Sequence, residues 1–110
     1  MSVISTMIPG AETTTQFVVF EAQMSSYVVS MSFTNHSTDV EHISVFVLKD
    51  GETYTERKNT LFFDVAIEAG DTIFTTKERI ALAAREKIIA FADNDENVNC
   101  ILSHVPTANY

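Results

Sequence analysis

Three histidines, His36, His42 and His104, are the side chains best able to bind a metal ion in this sequence. A zinc site needs three or four convergent ligands and further hydrogen bonds that orient them. The spacing of these histidines fits no metal-binding signature, and Cys100 is the only cysteine. We therefore predict solvated or capping histidines, with no metal and no other cofactor.

Acidic side chains are the second candidates for chemistry. Glu41 with Glu52, or Asp64 with Glu68, have the groups of a general acid and base. That role requires a pocket that shifts a pKa, whereas these residues fit solvated strand faces. The segment 93–96, Asp-Asn-Asp-Glu, has oxygen ligands suited to calcium but lacks the calcium-loop pattern. We predict a polar turn there, no enzymatic activity and no small-molecule substrate.

The single cysteine bears on both redox state and packing. One cysteine cannot form an intramolecular disulfide. Cys100 lies between Asn99 and Ile101 in an alternation of apolar and polar residues. We predict a small buried side chain without reactivity.

Length and charge limit the remaining functions. A chain of 110 residues is expected to form one domain with its own core. Its net charge of -8 at pH 7 repels phosphates and anionic membranes, so we expect neither nucleic acid nor membrane as a partner. No apolar run is long enough for a membrane helix, and no signal-peptide pattern is evident at the N-terminus. We expect synthesis in a cytoplasm.

Alternating apolar and polar residues predict strands along most of the chain. The clearest is 27–34, with the odd-numbered side chains facing the core. Further strands are predicted at 13–21, 40–48, within 52–60, and at 61–68, 71–76 and 97–102. Because Ala69-Gly70-Asp71 supplies a tight turn, residues 61–76 predict a hairpin.

Residues 77–92 have two interpretations. Their Ala, Glu, Lys, Arg and Leu content favours a helix. The alternation of Ile80 with Leu82, a charged tip at 85–87 and the apolar run 88–91 favour two short strands. We favour strands, and so predict an all-β fold, an antiparallel β-sandwich of the jelly-roll or immunoglobulin-like kind with about seven or eight strands. A helix over 77–92 is the local alternative.

The two ends of the chain lack a sustained period. Residues 1–12 contain Pro9-Gly10 and predict an extended N-terminal arm that becomes ordered against a neighbouring subunit. Residues 13–105 form the predicted β-sandwich domain, and residues 106–110 a short C-terminal tail.

Large apolar side chains on the predicted outer strand faces indicate an interface. Exposed aromatic patches commonly mark such surfaces. The alternative is a strand phase that has slipped by one residue, which would move the set inward. Including two residues of the arm, the predicted interface residues are Phe20, Phe46, Leu48, Phe62, Met7 and Ile8.

The order of motifs over Tyr27–Val105 resembles small β-sandwich structural proteins of tailed bacteriophage particles. The motifs are Ser30-Met31-Ser32-Phe33-Thr34-Asn35, Ile43-Ser44-Val45-Phe46-Val47-Leu48, Val65-Ala66-Ile67-Glu68-Ala69-Gly70-Asp71-Thr72, Ile88-Ile89-Ala90-Phe91-Ala92 and Val98-Asn99-Cys100-Ile101-Leu102-Ser103. The chain departs from that pattern at Arg85-Glu86-Lys87, where such proteins place a Gly-Asp turn.

The resemblance implies a non-enzymatic virion building block that forms a homo-oligomer and docks on other virion proteins. A neck or tail component is favoured, with a capsid decoration protein on the head surface as the alternative. A carbohydrate- or receptor-binding module is a second alternative, for which Glu52, Tyr54 and Glu56 would be the contact site.

Overall fold

The computed structural model describes residues 1–10, 17–52, 59–75 and 79–109. These residues form strands and one short 3₁₀ turn at Thr107–Asn109. The strands are β1 (Ser2–Ile8), β2 (Val18–Glu21), β3 (Ser26–Asn35), β4 (Glu41–Leu48), β5 (Thr60–Ile67), β6 (Thr72–Phe74), β7 (Ile80–Leu82), β8 (Lys87–Ala92) and β9 (Val98–Pro106).

Two antiparallel sheets carry these strands, which confirms the predicted all-β sandwich. The five-stranded sheet has the order β1-β9-β3-β6. β7 also pairs with β3, on the same side as β6 but at the other end of the strand. The four-stranded sheet has the order β2-β8-β4-β5. Apolar side chains of both inner faces form one buried cluster that includes Met31, Phe33, Val45 and Leu102. Within the described ranges no helix is long and apolar enough to cross a membrane.

The chain crosses between the sheets where a hairpin was predicted. The turn is present, because the Asp71 N–H donates to the Glu68 carbonyl at 3.0 Å and Gly70 has a φ of 80°. However, β5 pairs with β4, whereas β6 pairs with β3 in the other sheet. The hairpin prediction is therefore wrong in its pairing, since a tight turn permits either a hairpin or a crossing between sheets.

Residues 79–92 confirm the favoured strand interpretation over the helix. β7 and β8 are separated by a turn in which Arg85 has a φ of 72° and donates its N–H to the Ala22 carbonyl at 2.7 Å. The two strands lie in different sheets. Long-range pairing with β3 and β4 thus outweighs the local helix propensity of this segment.

The predicted N-terminal arm is wrong for residues 2–8. They are β1, and all 7 residues pair with β9 of the same chain, from Ser2 opposite His104 to Ile8 opposite Val98. Ile8 is fully buried and belongs to the core. The segment is extended, as predicted, but it completes its own sheet. Residues 11–16, including the start of the strand predicted at 13–21, and residues 53–58, including Tyr54, lie outside the described part.

Register shifts in two strand pairs change which residues face inward. A shift between Val28 and Ser30 makes Val28 the buried residue, in place of the predicted Tyr27 and Val29. Beyond it, Met31 and Phe33 face the core as predicted. Register shifts also occur between β4 and β5, and their consequence appears at the predicted interface.

Candidate functional site

Phe46 and Leu48 were predicted to be exposed, and this is wrong. They are 0% and 1% exposed, and they form a second buried cluster with Ile89 on the outer side of the four-stranded sheet. Phe91 packs against that cluster, with its ring centroid 6.1 Å from that of Phe46. The strand phase in β4 was predicted correctly, but both of its faces are covered within the chain. These two residues provide no surface for a partner.

Phe62 was also assigned to an outer face, and a bulge reverses that assignment. Asp64 has a φ of 51°, and its N–H donates to Ser44 Oγ at 2.9 Å. N-terminal to this bulge the alternation changes phase, so Phe62 packs against the core and meets Phe33 edge-on at 6.0 Å. Phe63 is half exposed in its place.

The remaining predicted interface residues divide between core and surface. Phe20 is partly buried against the core, and its ring lies 4.3 Å from that of His104. Ile8 is fully buried. Met7 is half-buried on the outer face of the five-stranded sheet, opposite Asn99. Of the six predicted interface residues, Met7 is the one that lies on the surface described next.

The outer face of the five-stranded sheet carries hydroxyl, amide and apolar side chains across four strands. The strand register places Ser5, Ile101, Ser32 and Phe74 in one row across β1, β9, β3 and β6. None of the residues of this face is charged. We call it the uncharged face, and it comprises Val3, Ser5, Met7, Ser30, Ser32, Thr34, Thr72, Phe74, Asn99, Ile101 and Ser103.

Four polar side chains of the uncharged face bond to one another in two pairs. Thr34 Oγ1 and Thr72 Oγ1 are 2.7 Å apart. Ser5 Oγ lies 3.3 Å from Asn99 Oδ1 and 3.4 Å from Asn99 Nδ2. Groups that already have a partner lose less when water is removed, so a second surface can cover this face at a reduced desolvation cost.

Exposed apolar side chains interrupt these polar groups. Val3 is 62% exposed, Phe74 70% and Ile101 45%. At one end the face continues to Tyr27, where the Arg79 guanidinium lies 5.6 Å from the ring centroid and introduces the first charge. The lack of charged side chains and the presence of exposed Phe74 are features typical of the centre of a protein–protein interface.

A separate cluster of ionisable groups lies on the other sheet. His42 Nδ1 is 2.8 Å from Asp93 Oδ2, and this hydrogen bond raises the pKa of His42 above its ordinary value. A ligand atom of Asp64 completes a set that lies within 4.8 Å of one another. An imidazole with two carboxylates has the chemistry to hold a divalent cation with water in the open positions. The sequence did not indicate this convergence, because it depends on the pairing of β4 with both β5 and β8.

The other histidines do not join that cluster. His36 follows β3, where its N–H donates to the Asn97 carbonyl at 3.1 Å. His104 lies near the far end of β9 against Phe20.

Buried Glu41 anchors the turn that follows β8. It is 0% exposed, and its carboxylate accepts hydrogen bonds from the Asn94 N–H at 3.2 Å, Asn94 Nδ2 at 2.8 Å and Asn97 Nδ2 at 3.1 Å. Its proposed partner Glu52 lies beyond the other end of β4, where it accepts the Lys49 N–H at 2.7 Å. The pair is therefore apart, and Glu41 has a structural role.

A groove of about 410 Å³ lies beside this turn. It is lined by Met7, Ile8, Pro9, Phe17, Asp95 and Glu96. Asp95 Oδ1 accepts the Gly10 N–H at 2.6 Å, and Asp93 is bonded to His42. Two carboxylates of the segment 93–96, those of Asp93 and Asp95, thus bond to different parts of the protein, and the segment forms a turn as predicted.

Cys100 is 1% exposed, as predicted, and burial raises the pKa of its thiol to about 12. The thiolate is the reactive form. We expect a thiol reagent at pH 8 to label the native protein at least about 100-fold more slowly than the unfolded chain. Mass spectrometry of timed samples, with and without denaturant, measures both rates. Native labelling at the rate of the unfolded chain would contradict the burial of this residue.

Comparisons of the chain with protein-family models, with curated proteins and with solved structures find no match.

Proposed function

We propose that this protein is a non-enzymatic structural subunit that assembles with copies of itself through the uncharged face. The observation that supports the proposal is the absence of charge from a surface that spans four strands, in a chain of net charge -8.

The net charge favours this face for self-association. Two copies of an acidic chain repel each other, and the repulsion is largest where carboxylates meet at distances below the Debye length of about 8 Å. Contact through the uncharged face brings together no carboxylate of the residues that define this face. Apolar contacts of Val3, Ile101 and Phe74 then favour association without opposing local charge.

The size of the face indicates a weak contact. Three strands that each present about 20 Å, and the 3-residue β6 that presents about 10 Å, lie about 4.8 Å apart and cover roughly 350 Å². A stable interface buries about 800 Å² per partner. The uncharged face alone supplies about half of that area, so a stable assembly requires a further contact.

A virion component is the specific role that we propose for such a subunit. The support is the order of sequence motifs that resembles phage β-sandwich structural proteins, together with an antiparallel sandwich fold. A neck or tail component remains the first proposal and a capsid decoration protein the alternative. In either setting the uncharged face joins neighbouring copies on the particle.

Light scattering across a dilution series and a salt series tests self-assembly. We expect a mass above that of the 12.2 kDa monomer that increases with protein concentration. Salt should strengthen association, because it screens the repulsion between acidic copies. A monomer at every concentration and salt would overturn the proposal and favour a soluble binding module. An assembly weakened by salt would also contradict contact through the uncharged face.

Ile101→Asp should weaken the assembly at least about tenfold, since each copy then places a carboxylate in the interface without a partner. Phe63→Asp is the matched control. Both residues are about half exposed, at 45% and 50%, on outer faces of opposite sheets, and both changes add one negative charge. Light scattering compares the two variants, and circular dichroism confirms folding. If both changes weaken the assembly equally, the effect comes from the added net charge, and the uncharged face is not the interface.

A further inference from the structure

The free edge of β1 differs from the other sheet edges among the described strands. β2 is interrupted by a register shift between Val18 and Phe20, and β5 by two shifts against β4 and the bulge at Asp64. β6 and β7 have 3 residues each. Short, bulged or charged edges are the usual means of preventing pairing between chains. Each of these edges therefore has one of the usual protections.

β1 has none of these protections. All 7 of its residues, Ser2-Val3-Ile4-Ser5-Thr6-Met7-Ile8, pair with β9 without a register shift, and none is charged, proline or glycine. Among the described strands, β9 is its one neighbour in the sheet order. Its other side therefore presents a straight row of backbone donors and acceptors.

We infer that β1 pairs antiparallel with β1 of a second copy, in a two-fold register centred on Ser5, and so joins two five-stranded sheets into one continuous sheet. This inference rests on the proposed self-assembly and identifies the further contact that the area of the uncharged face requires.

The sequence of β1 is self-complementary in this register. On the outer side Val3 lies opposite Met7 of the second copy, and Ser5 lies opposite its own equivalent. On the inner side Ile4 lies opposite Thr6. The register centred on Ser5 is the one that pairs the whole strand with itself, and Pro9, which has no N–H, ends the pairing after Ile8.

The same arrangement excludes like charges and enlarges the proposed surface. An antiparallel pair of this length forms about six to eight backbone hydrogen bonds, and none of its side chains is acidic. Because Val3, Ser5 and Met7 belong to the uncharged face, pairing at β1 makes the uncharged faces of two copies contiguous. A second copy of this acidic chain can therefore pair with β1 without charge repulsion between the two strands.

Disulfide trapping tests the edge and its register. Opposite residues of an antiparallel pair have Cα atoms about 4.5–5.5 Å apart, within the range that a disulfide spans. Packing of one sheet face on another separates the sheets by about 10 Å, which is too far. Under mild oxidation we expect Ser5→Cys to form a covalent dimer at least about tenfold faster than Val3→Cys or Met7→Cys alone. A mixture of Val3→Cys and Met7→Cys should form the covalent dimer.

The wild-type chain is the control for Cys100, which is buried and should form no covalent dimer. If the wild-type chain assembles and Ile101→Asp dissociates it, but Ser5→Cys forms no covalent dimer, the edge inference is overturned and the uncharged face stands. If Val3→Cys alone reacts as fast as Ser5→Cys, the register is overturned. A wild-type chain that is always monomeric, with no trapping, overturns both proposals.

Hydrogen exchange of the unmodified chain gives a second test that does not depend on cysteine variants. Amide groups of β1 that point away from β9 should exchange more slowly as protein concentration rises. Exchange in β2, at an edge of the other sheet, should stay constant and serves as the internal control. Equal rates in β1 at all concentrations at which light scattering detects the assembly would contradict pairing at this edge.

Discussion

Replacing Phe46 with alanine is expected to lower the free energy of unfolding by about 3–5 kcal/mol. The side chain is 0% exposed and packs with Leu48, Ile89 and Phe91 on the outer side of the four-stranded sheet. Truncation removes a buried ring and leaves a cavity, and both effects favour the unfolded chain. Urea denaturation at a protein concentration at which the chain is monomeric measures the change.

Phe74→Ala is the control for this experiment. Phe74 is 70% exposed on the uncharged face, so its removal should change the unfolding free energy by less than about 0.5 kcal/mol. The two variants should therefore have different effects: Phe46→Ala should lower stability, and Phe74→Ala should weaken association. If Phe46→Ala instead left stability unchanged and weakened the assembly, Phe46 would be an interface residue and the structure of the outer cluster would be wrong.

Replacing Glu41 with alanine is expected to cost about 3 kcal/mol of stability. The change removes the acceptor of three hydrogen bonds, two from Asn94 and one from Asn97, at a site that is 0% exposed. Each intramolecular hydrogen bond contributes about 1 kcal/mol net, so the loss of three amounts to about 3 kcal/mol. The turn that links β8 to β9 should loosen, and thermal unfolding together with proteolysis near residues 93–97 would detect this.

Glu41→Gln should have a smaller effect, because the amide oxygen still accepts a hydrogen bond from Asn94. Glu68→Ala is the matched control at an exposed acidic residue, with an expected change within about 0.5 kcal/mol. A loss in Glu41→Ala no larger than that of Glu68→Ala would show that Glu41 is hydrated in solution and does not anchor the turn.

Much of the strand content follows from local pattern alone. β9 and the C-terminal half of β3 alternate clearly, because one side of each packs in the core. The same alternation placed Cys100 in the core, with its neighbours Asn99 and Ile101 outward. In these segments the order of apolar and polar residues directly predicts which strand face is buried.

β1 shows where local pattern is insufficient. Its inner side has Ile4, Thr6 and Ile8, and its outer side has Val3, Ser5 and Met7. Each side mixes apolar and hydroxyl residues, so the period of two is too weak to identify a strand. Pairing with β9 decides that the segment belongs to the sheet, and this pairing is a long-range interaction.

Tertiary structure also decided which face of β5 is buried and which strand β6 pairs with. The turn at 68–71 satisfies its own hydrogen bonds whether β6 returns to the sheet of β5 or crosses to the other sheet. The bulge at Asp64 adds one residue to β5, so Phe62 enters the core and Phe63 leaves it. No local signal marks that extra residue, because the positive φ of Asp64 is held by Ser44 of a neighbouring strand.

The uncharged face depends on both the local sequence and the tertiary structure. The sequence by itself determined that 26–35 and 97–103 carry no charge, and it determined the acidic character of the chain as a whole. Only the register of β1, β9, β3 and β6 brings the outward residues of these segments into one surface. The physical reason is that composition and period act along the chain, whereas a sheet surface exists only across strands, where hydrogen bonding between distant segments sets which side chains are neighbours.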